Sequence, residues 1–147
     1  MAVITTDTLI EGIRRDDVLE WLSKPENHGR MLQGTFAGVT EKSSGTYEIS
    51  VKAGPVPRTL TYTFDHVDNE HGGRRVHVKT SGRRMEGRIH FSLRTMKPAL
   101  NTLVTLHADY ETGGPLGGLA DSLYLRKALE DGYKQILDNM QREIRKG

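Results

Sequence analysis

Six histidines, five tyrosines and no cysteine set the chemistry open to this chain. The histidines stand at 28, 66, 71, 77, 90 and 107. No two of them have the i, i+4 helical spacing of a metalloprotease motif, and no thiolate joins them, so a metal site has little support. Neither a G-x-S-x-G elbow nor a G-x-x-x-x-G-K phosphate loop occurs. The run Gly113-Gly114-Pro115-Leu116-Gly117-Gly118 shares only its composition with a phosphate cradle. Pro115 suits a first helical position, so the run reads as a flexible entry to a helix, able to gate access to a cavity.

Two groups could act on a ligand. Arg58 and His66 share the inward phase of Leu60, Tyr62 and Phe64, at the two ends of one alternating stretch. At a cavity mouth the guanidinium would hold a carboxylate, and the imidazole would move a proton near neutral pH. Plain exposure at the strand ends is the alternative, because long charged side chains are rarely buried. Tyr47, Leu60, Tyr62, Phe64, Val78, Phe91, Leu93, Val104 and Leu106, with Tyr124 from a helix, form the inward set. That set is either a packed core or the wall of an apolar ligand cavity. Its tyrosines are the informative members, since a buried phenol needs a partner that a ligand or water can supply.

Positioning these residues requires a sheet. Residues 2–11 are rich in β-branched side chains and predict a strand. A short helix follows from Arg15 to Ser23, ended by Pro25, and residues 26–32 allow another helical turn. Phe36 and Val39 mark a weak strand, and Ser43-Ser44-Gly45 a turn. Alternation then runs through Tyr47–Ala53, Leu60–Phe64, Val76–Thr80, Met85–Leu93 and Leu100–Tyr110, with breaks at Gly54-Pro55-Val56-Pro57, Asn69–Gly73 and Pro98. Clean alternation indicates an antiparallel sheet with one wet and one apolar face. A two-residue Gly82-Arg83 loop predicts Lys79 opposite Glu86 and Val76 opposite Ile89. His77 and His90 become neighbours on the wet face.

From Leu125 to Ile144 apolar residues recur at three- and four-residue steps, one stripe of a long helix that must lie along the sheet. Leu116, Leu119, Ala120, Leu123 and Tyr124 fall on another face of the same helix, which predicts that its first turns are buried against two neighbours. The order of strand, short helices, six strands and long helix argues for a single α+β domain over residues 1–147.

Composition narrows the class. The 147 residues are 35% hydrophobic and 27% charged, as in a soluble globular chain, and suffice for one core. Lys and Arg number 21 against 19 acids, a surplus too small to predict a nucleic-acid partner. Arg74, Arg75, Lys79, Arg83, Arg84, Arg88 and Arg94 crowd two neighbouring strands, either as a solvated face or as a basic edge for an acidic partner. The aromatic residues between them point inward and offer no base-stacking platform. No apolar run approaches about 18 residues, and no signal-peptide pattern opens the chain. A cytoplasmic protein without a cofactor is expected, its oligomeric state open.

The strand at 2–11, the helix Asp16-Asp17-Val18-Leu19-Glu20-Trp21-Leu22, the stretch Arg83–Leu93 and the run Ala108-Asp109-Tyr110-Glu111-Thr112-Gly113-Gly114-Pro115 leading into the long helix together resemble the Bet v 1-like, START-related superfamily. Within it the bacterial polyketide cyclase/dehydrase and lipid-transport group is the most similar. The loop Ser43-Ser44-Gly45-Thr46 is shorter than the glycine-rich loop of the plant members. Asn27-His28-Gly29-Arg30-Met31 stands where many bacterial members carry an aromatic segment. The resemblance implies a helix-grip fold, a seven-stranded curved antiparallel sheet around the C-terminal helix. It also implies an apolar cavity for a lipid, quinone or polyketide-like molecule. Cyclase or dehydratase catalysis in that cavity, or binding of a protein partner, are the alternatives it leaves open.

Overall fold

The computed structural model describes residues 2–54, 56–68, 74–97, 100–112 and 119–147. The expected turn at Asn69–Gly73, His71, Pro55, Pro98 and the glycine-rich run 113–118 lie outside the described residues.

Chain order is β1 (Ala2–Ile10), α1 (Arg15–Leu22), α2 (Pro25–Leu32), β2 (Gly38–Ser43), β3 (Thr46–Ala53), β4 (Val56–Asp68), β5 (Arg75–Gly82), β6 (Met85–Met96), β7 (Asn101–Thr112) and α3 (Leu119–Arg145). The strands form one antiparallel sheet in the order β1-β7-β6-β5-β4-β3-β2. This is the expected α+β helix-grip architecture. β1 and β3 lie near opposite edges of the sheet, yet both pack against α3. The sheet is therefore wrapped around the helix, which at about 1.5 Å per residue is roughly 40 Å long.

Side chains of α3 cover the strand that ends the sheet. Arg126 Nη2 donates to the Val3 carbonyl at 3.0 Å and Gln141 Nε2 to the Leu9 carbonyl at 3.0 Å. An edge strand whose carbonyls are occupied in this way is a poor template for another chain. α2 is clamped to the far end of α3: Arg30 Nη2 donates to the Glu143 carbonyl at 2.9 Å, and Asn139 Nδ2 to the Met31 carbonyl at 2.9 Å. Phe36 does not join a strand as expected. It adopts a left-handed backbone (φ 52°) and packs its ring against Gly132 of α3, where any β-carbon would overlap the ring.

Three further expectations require correction. The β5–β6 turn is Arg83-Arg84, with Gly82 paired to Met85, so Lys79 faces Arg88 and Val76 faces Phe91. The slip is two residues, and an even slip leaves every side chain on its expected face. Arg84 supplies the positive φ, at 62°. Gly82 is glycine for another reason: a β-carbon there would meet Leu60 Cδ2 at 2.7 Å and the Thr59 carbonyl at 2.8 Å. His66 does not point inward, because the ladder shifts between Phe64 and His66 and leaves Asp65 as an extra residue. Such a bulge reverses the alternation beyond it. Tyr124 and Leu123 are 54% and 60% exposed, so these two are not buried against two neighbours, while Leu116 and the side chains of Leu119 and Ala120 lie outside the described residues. Leu125 takes the inward position, and Tyr124, a residue earlier and about 100° round the helix, leans on Gly54 at the end of β3.

Candidate functional site: two ends of one interior

Between sheet and α3 lies the inward set. Tyr47, Leu60, Tyr62, Val78, Phe91, Leu93, Val104 and Leu106 are buried there, and Phe64 is half-buried. Arg58, opposite Val51, is half-buried on the same face beyond Leu60. His66 and Tyr124 do not join them. The structure adds two residues to this interior that the sequence reading did not select, His28 and Tyr133.

His28 belongs to the closed end, under α1 and α2. The last carbonyls of a helix have no intrahelical donor. At the end of α1 two side chains from α2 supply them: Asn27 Nδ2 donates to the Trp21 carbonyl at 2.8 Å, and His28 Nε2 to the Leu22 carbonyl at 2.7 Å. A carbonyl can only accept, so the proton of neutral His28 sits on Nε2, and Nδ1 accepts from the Tyr62 hydroxyl at 2.6 Å. Burial lowers the His28 pKa to about 4, against the opposing pull of the Leu22 carbonyl, and raises that of Tyr62 well above the usual phenol. At neutral pH the pair is therefore a phenol and a neutral imidazole. Phe64 and Phe91 pack edge-on against the imidazole, with centroids 5.1 and 5.9 Å away. Tyr47 donates to the Pro25 carbonyl at 3.0 Å. The hydrogen-bonding side chains of Asn27, His28, Tyr47 and Tyr62 all have partners, while Trp21 Nε1, on α1 at the same end, is buried without one. The signal that could have found His28 is its spacing: with Met31 and Leu32 it makes an i, i+3, i+4 face on α2.

The other end lies beside the N-terminal half of α3. A cleft of about 480 Å³ opens there between Ala2, Tyr110, Glu111, Thr112, Leu123, Leu125 and Arg126. Arg126 stands at its rim, tied to Glu130 at 2.9 Å. Tyr110 lines the cleft, and Tyr133 of α3 lies within electrostatic reach of Tyr110. Both phenols are buried, at 6% and 3% exposure, and burial raises the pKa of each. Among the described residues neither hydroxyl has a hydrogen-bond partner. Their rings are buried while neither oxygen is a buried, orphaned atom, so two phenol hydroxyls beside one cleft can each meet a polar atom from outside the protein. A smaller cleft of about 240 Å³ lies near the start of α1, between Arg14, Arg15, Asp16, Thr95, Leu100 and Asn101.

Among the described residues no group of three or more His, Cys, Asp or Glu is arranged to hold a metal ion. No described helix is long and apolar enough to cross a membrane.

Residues 12–145 match the CoxG family, whose members are described as a subunit of carbon monoxide dehydrogenase. No curated protein matches the chain in sequence. Solved structures match it in fold over almost its whole length. Zhui aromatase/cyclase from Streptomyces sp. R1128 aligns with TM-score 0.68 and 16% identity, covering 98% of this chain and 93% of that one. Norcoclaurine synthase from Thalictrum flavum, in complex with dopamine and hydroxybenzaldehyde, aligns with TM-score 0.67 and 16% identity, covering 99% and 87%. A START superfamily protein from Mycobacterium smegmatis aligns with TM-score 0.60 and 11% identity, covering 96% and 98%. At these identities the likeness is one of fold, and it bears out the resemblance to Bet v 1-like and START-related proteins.

Proposed function

Since the chain belongs to the CoxG family of carbon monoxide dehydrogenase subunits, we propose that it is a cytoplasmic carrier for a small hydrophobic or amphipathic molecule such as a lipid, a quinone or a polyketide-like compound. The molecule enters by the cleft beside the N-terminal half of α3 and rests in the interior between helix and sheet. The observation that carries this reading is the cleft of about 480 Å³ itself, lined by Tyr110, Leu123 and Leu125, with the phenols of Tyr110 and Tyr133 held by no described residue. Apolar walls supply affinity and a few polar groups fix orientation, the usual division of labour in a small-molecule site. A relative in fold holds dopamine and hydroxybenzaldehyde, which supports the reading by analogy of architecture alone. Solvent extraction of the purified, folded protein followed by mass spectrometry tests it. A hydrophobic compound near one equivalent is expected; no extractable compound together with no saturable uptake of an amphipathic fluorescent probe would overturn it.

Cyclase-type catalysis needs a proton-transferring group in the interior. With His66 turned outward, the Tyr62–His28 pair takes that place. Burial works against it on both sides, opposing loss of a proton from the phenol and gain of one by the imidazole. The binding reading therefore stands ahead of turnover. Association with a protein is favoured by the family's description as part of a larger enzyme. Reversing the charges of Arg88 and Arg94 on the outer face should abolish a complex made through that face, and an undiminished pull-down would exclude it.

A further inference from the structure

The outer face of the sheet carries titratable groups that the proposed site does not use. His66, His77, His90 and His107 come from β4, β5, β6 and β7 and are cross-strand partners in succession. Their rings form two stacks. His66 lies on His77 at 4.5 Å and 12°, and His90 on His107 at 4.7 Å and 24°; His77 and His90 meet at 5.9 Å, tilted by 42°. The bulge at Asp65 brings His66 into this row, since unbroken alternation would turn it inward. No three side chains here are arranged around a metal position, so the chemistry open to the row is gain and loss of protons.

We propose that this histidine row is a proton-operated latch on the central sheet, closed while its rings are neutral and stacked, and forced open when they take up protons. Charged groups surround it on every strand. β4 contributes Asp65, 2.9 Å from His66 Nδ1, and Asp68, 3.9 Å from His77 Nε2. β5 contributes Arg75 and Lys79, β6 Arg88 and Arg94, and β7 Asp109; from β1, Thr5 lies 3.4 Å from His107 Nδ1, with Asp7 two residues along. The carboxylates ease a charge on the row, while Arg75 opposes one on both middle rings. Burial lowers the pKa of His77, and lowers that of His90 to about 4, where His107, Arg75 and His77 add to the effect. His77 Nε2 is buried without a hydrogen bond, and the Asp68 carboxylate at 3.9 Å is beyond reach.

The sign follows from linkage. Rings whose folded pKa lies below the unfolded value stabilise the sheet above about pH 6.5, and that stability drains away as pH falls toward 4. Like charges on adjoining strands then oppose their pairing. The same strands turn Val76, Val78, Ile89, Phe91 and Leu106 to the interior, so an open latch loosens the wall of the proposed site and releases its ligand. Only this last step rests on the binding reading.

The test follows imidazole ring signals and amide protection factors by NMR from pH 7 to 4.5. It uses the protein and its His90→Gln and His107→Gln variants. Protection in β5 and β6 should fall about tenfold more over that range in the protein than in His90→Gln, where the contribution of His28 is still lost. The midpoint of His90 should rise in His107→Gln, where a like charge has gone, and that variant serves if His90→Gln does not fold. Equal loss of protection in all three, or a His90 midpoint that stays put, overturns the latch. Protection that falls while a bound amphipathic probe is retained overturns the release step alone.

Discussion

The two ends of the interior are built from similar residues and are left in opposite states. Under α1 and α2, His28, Tyr62, Tyr47 and Asn27 each have a partner, His28 and Asn27 also cap the end of α1, and only Trp21 Nε1 among the described atoms there is buried without one. Beside the N-terminal half of α3, the rings of Tyr110 and Tyr133 are buried next to a cleft, and no described residue holds either hydroxyl. A hydrogen-bonded buried network adds rigidity, and hydroxyls left free beside a cleft can take a polar atom from outside. The contrast assigns stability to the closed end and binding to the open end.

Four experiments probe that division. Replacing His28 by alanine should have the largest effect, because it opens a cavity and strips partners from the Tyr62 hydroxyl and the Leu22 carbonyl at once. A loss of about 3–5 kcal/mol is expected in denaturant unfolding, and a loss below about 1 kcal/mol would deny the closed end its structural role. Acid titration comes next. The folded pKa of His28 is about 4, below the usual imidazole, so its contribution is complete above about pH 6.5 and disappears as pH falls through 4. That amounts to roughly 3 kcal/mol, readable as a falling Tm. Tyr62→Phe keeps the ring and orphans only His28 Nδ1, for about 1–2 kcal/mol. Tyr133→Phe should be the smallest for stability, within about 0.5 kcal/mol or slightly stabilising, since its hydroxyl has no protein partner to lose. The same change should weaken uptake of an amphipathic probe several-fold; a stability loss as large as that of Tyr62→Phe would erase the difference between the two ends.

Much of this was legible in the residues. The inward residues of β3, β6 and β7, such as Tyr47, Ile49, Phe91, Leu93, Val104 and Leu106, are buried as their alternation requires, because side-chain direction in a strand follows from parity alone. Parity also explains the failure at His66, where one unpaired residue at Asp65 reverses the sense with no glycine or proline to announce it. Gly82 invited a turn assignment, yet its lack of a side chain serves the close approach of Leu60. His28 escaped notice because its role depends on Leu22 and Tyr62, a helix end and a strand that only the folded chain brings together. Tyr124 was misplaced for a related reason: a helical stripe gives angles between residues and not the angle at which the sheet meets them.

The pairing of β1 with β7 carries a consequence for how the protein is made. Ala2 aligns with Tyr110 and Ile10 with Thr102, so β1 leaves the ribosome long before β7, the strand it pairs with. Until then a β-branched, partly apolar segment waits without a mate, which predicts slow completion of the fold and a nascent chain that gains from shielding by a chaperone.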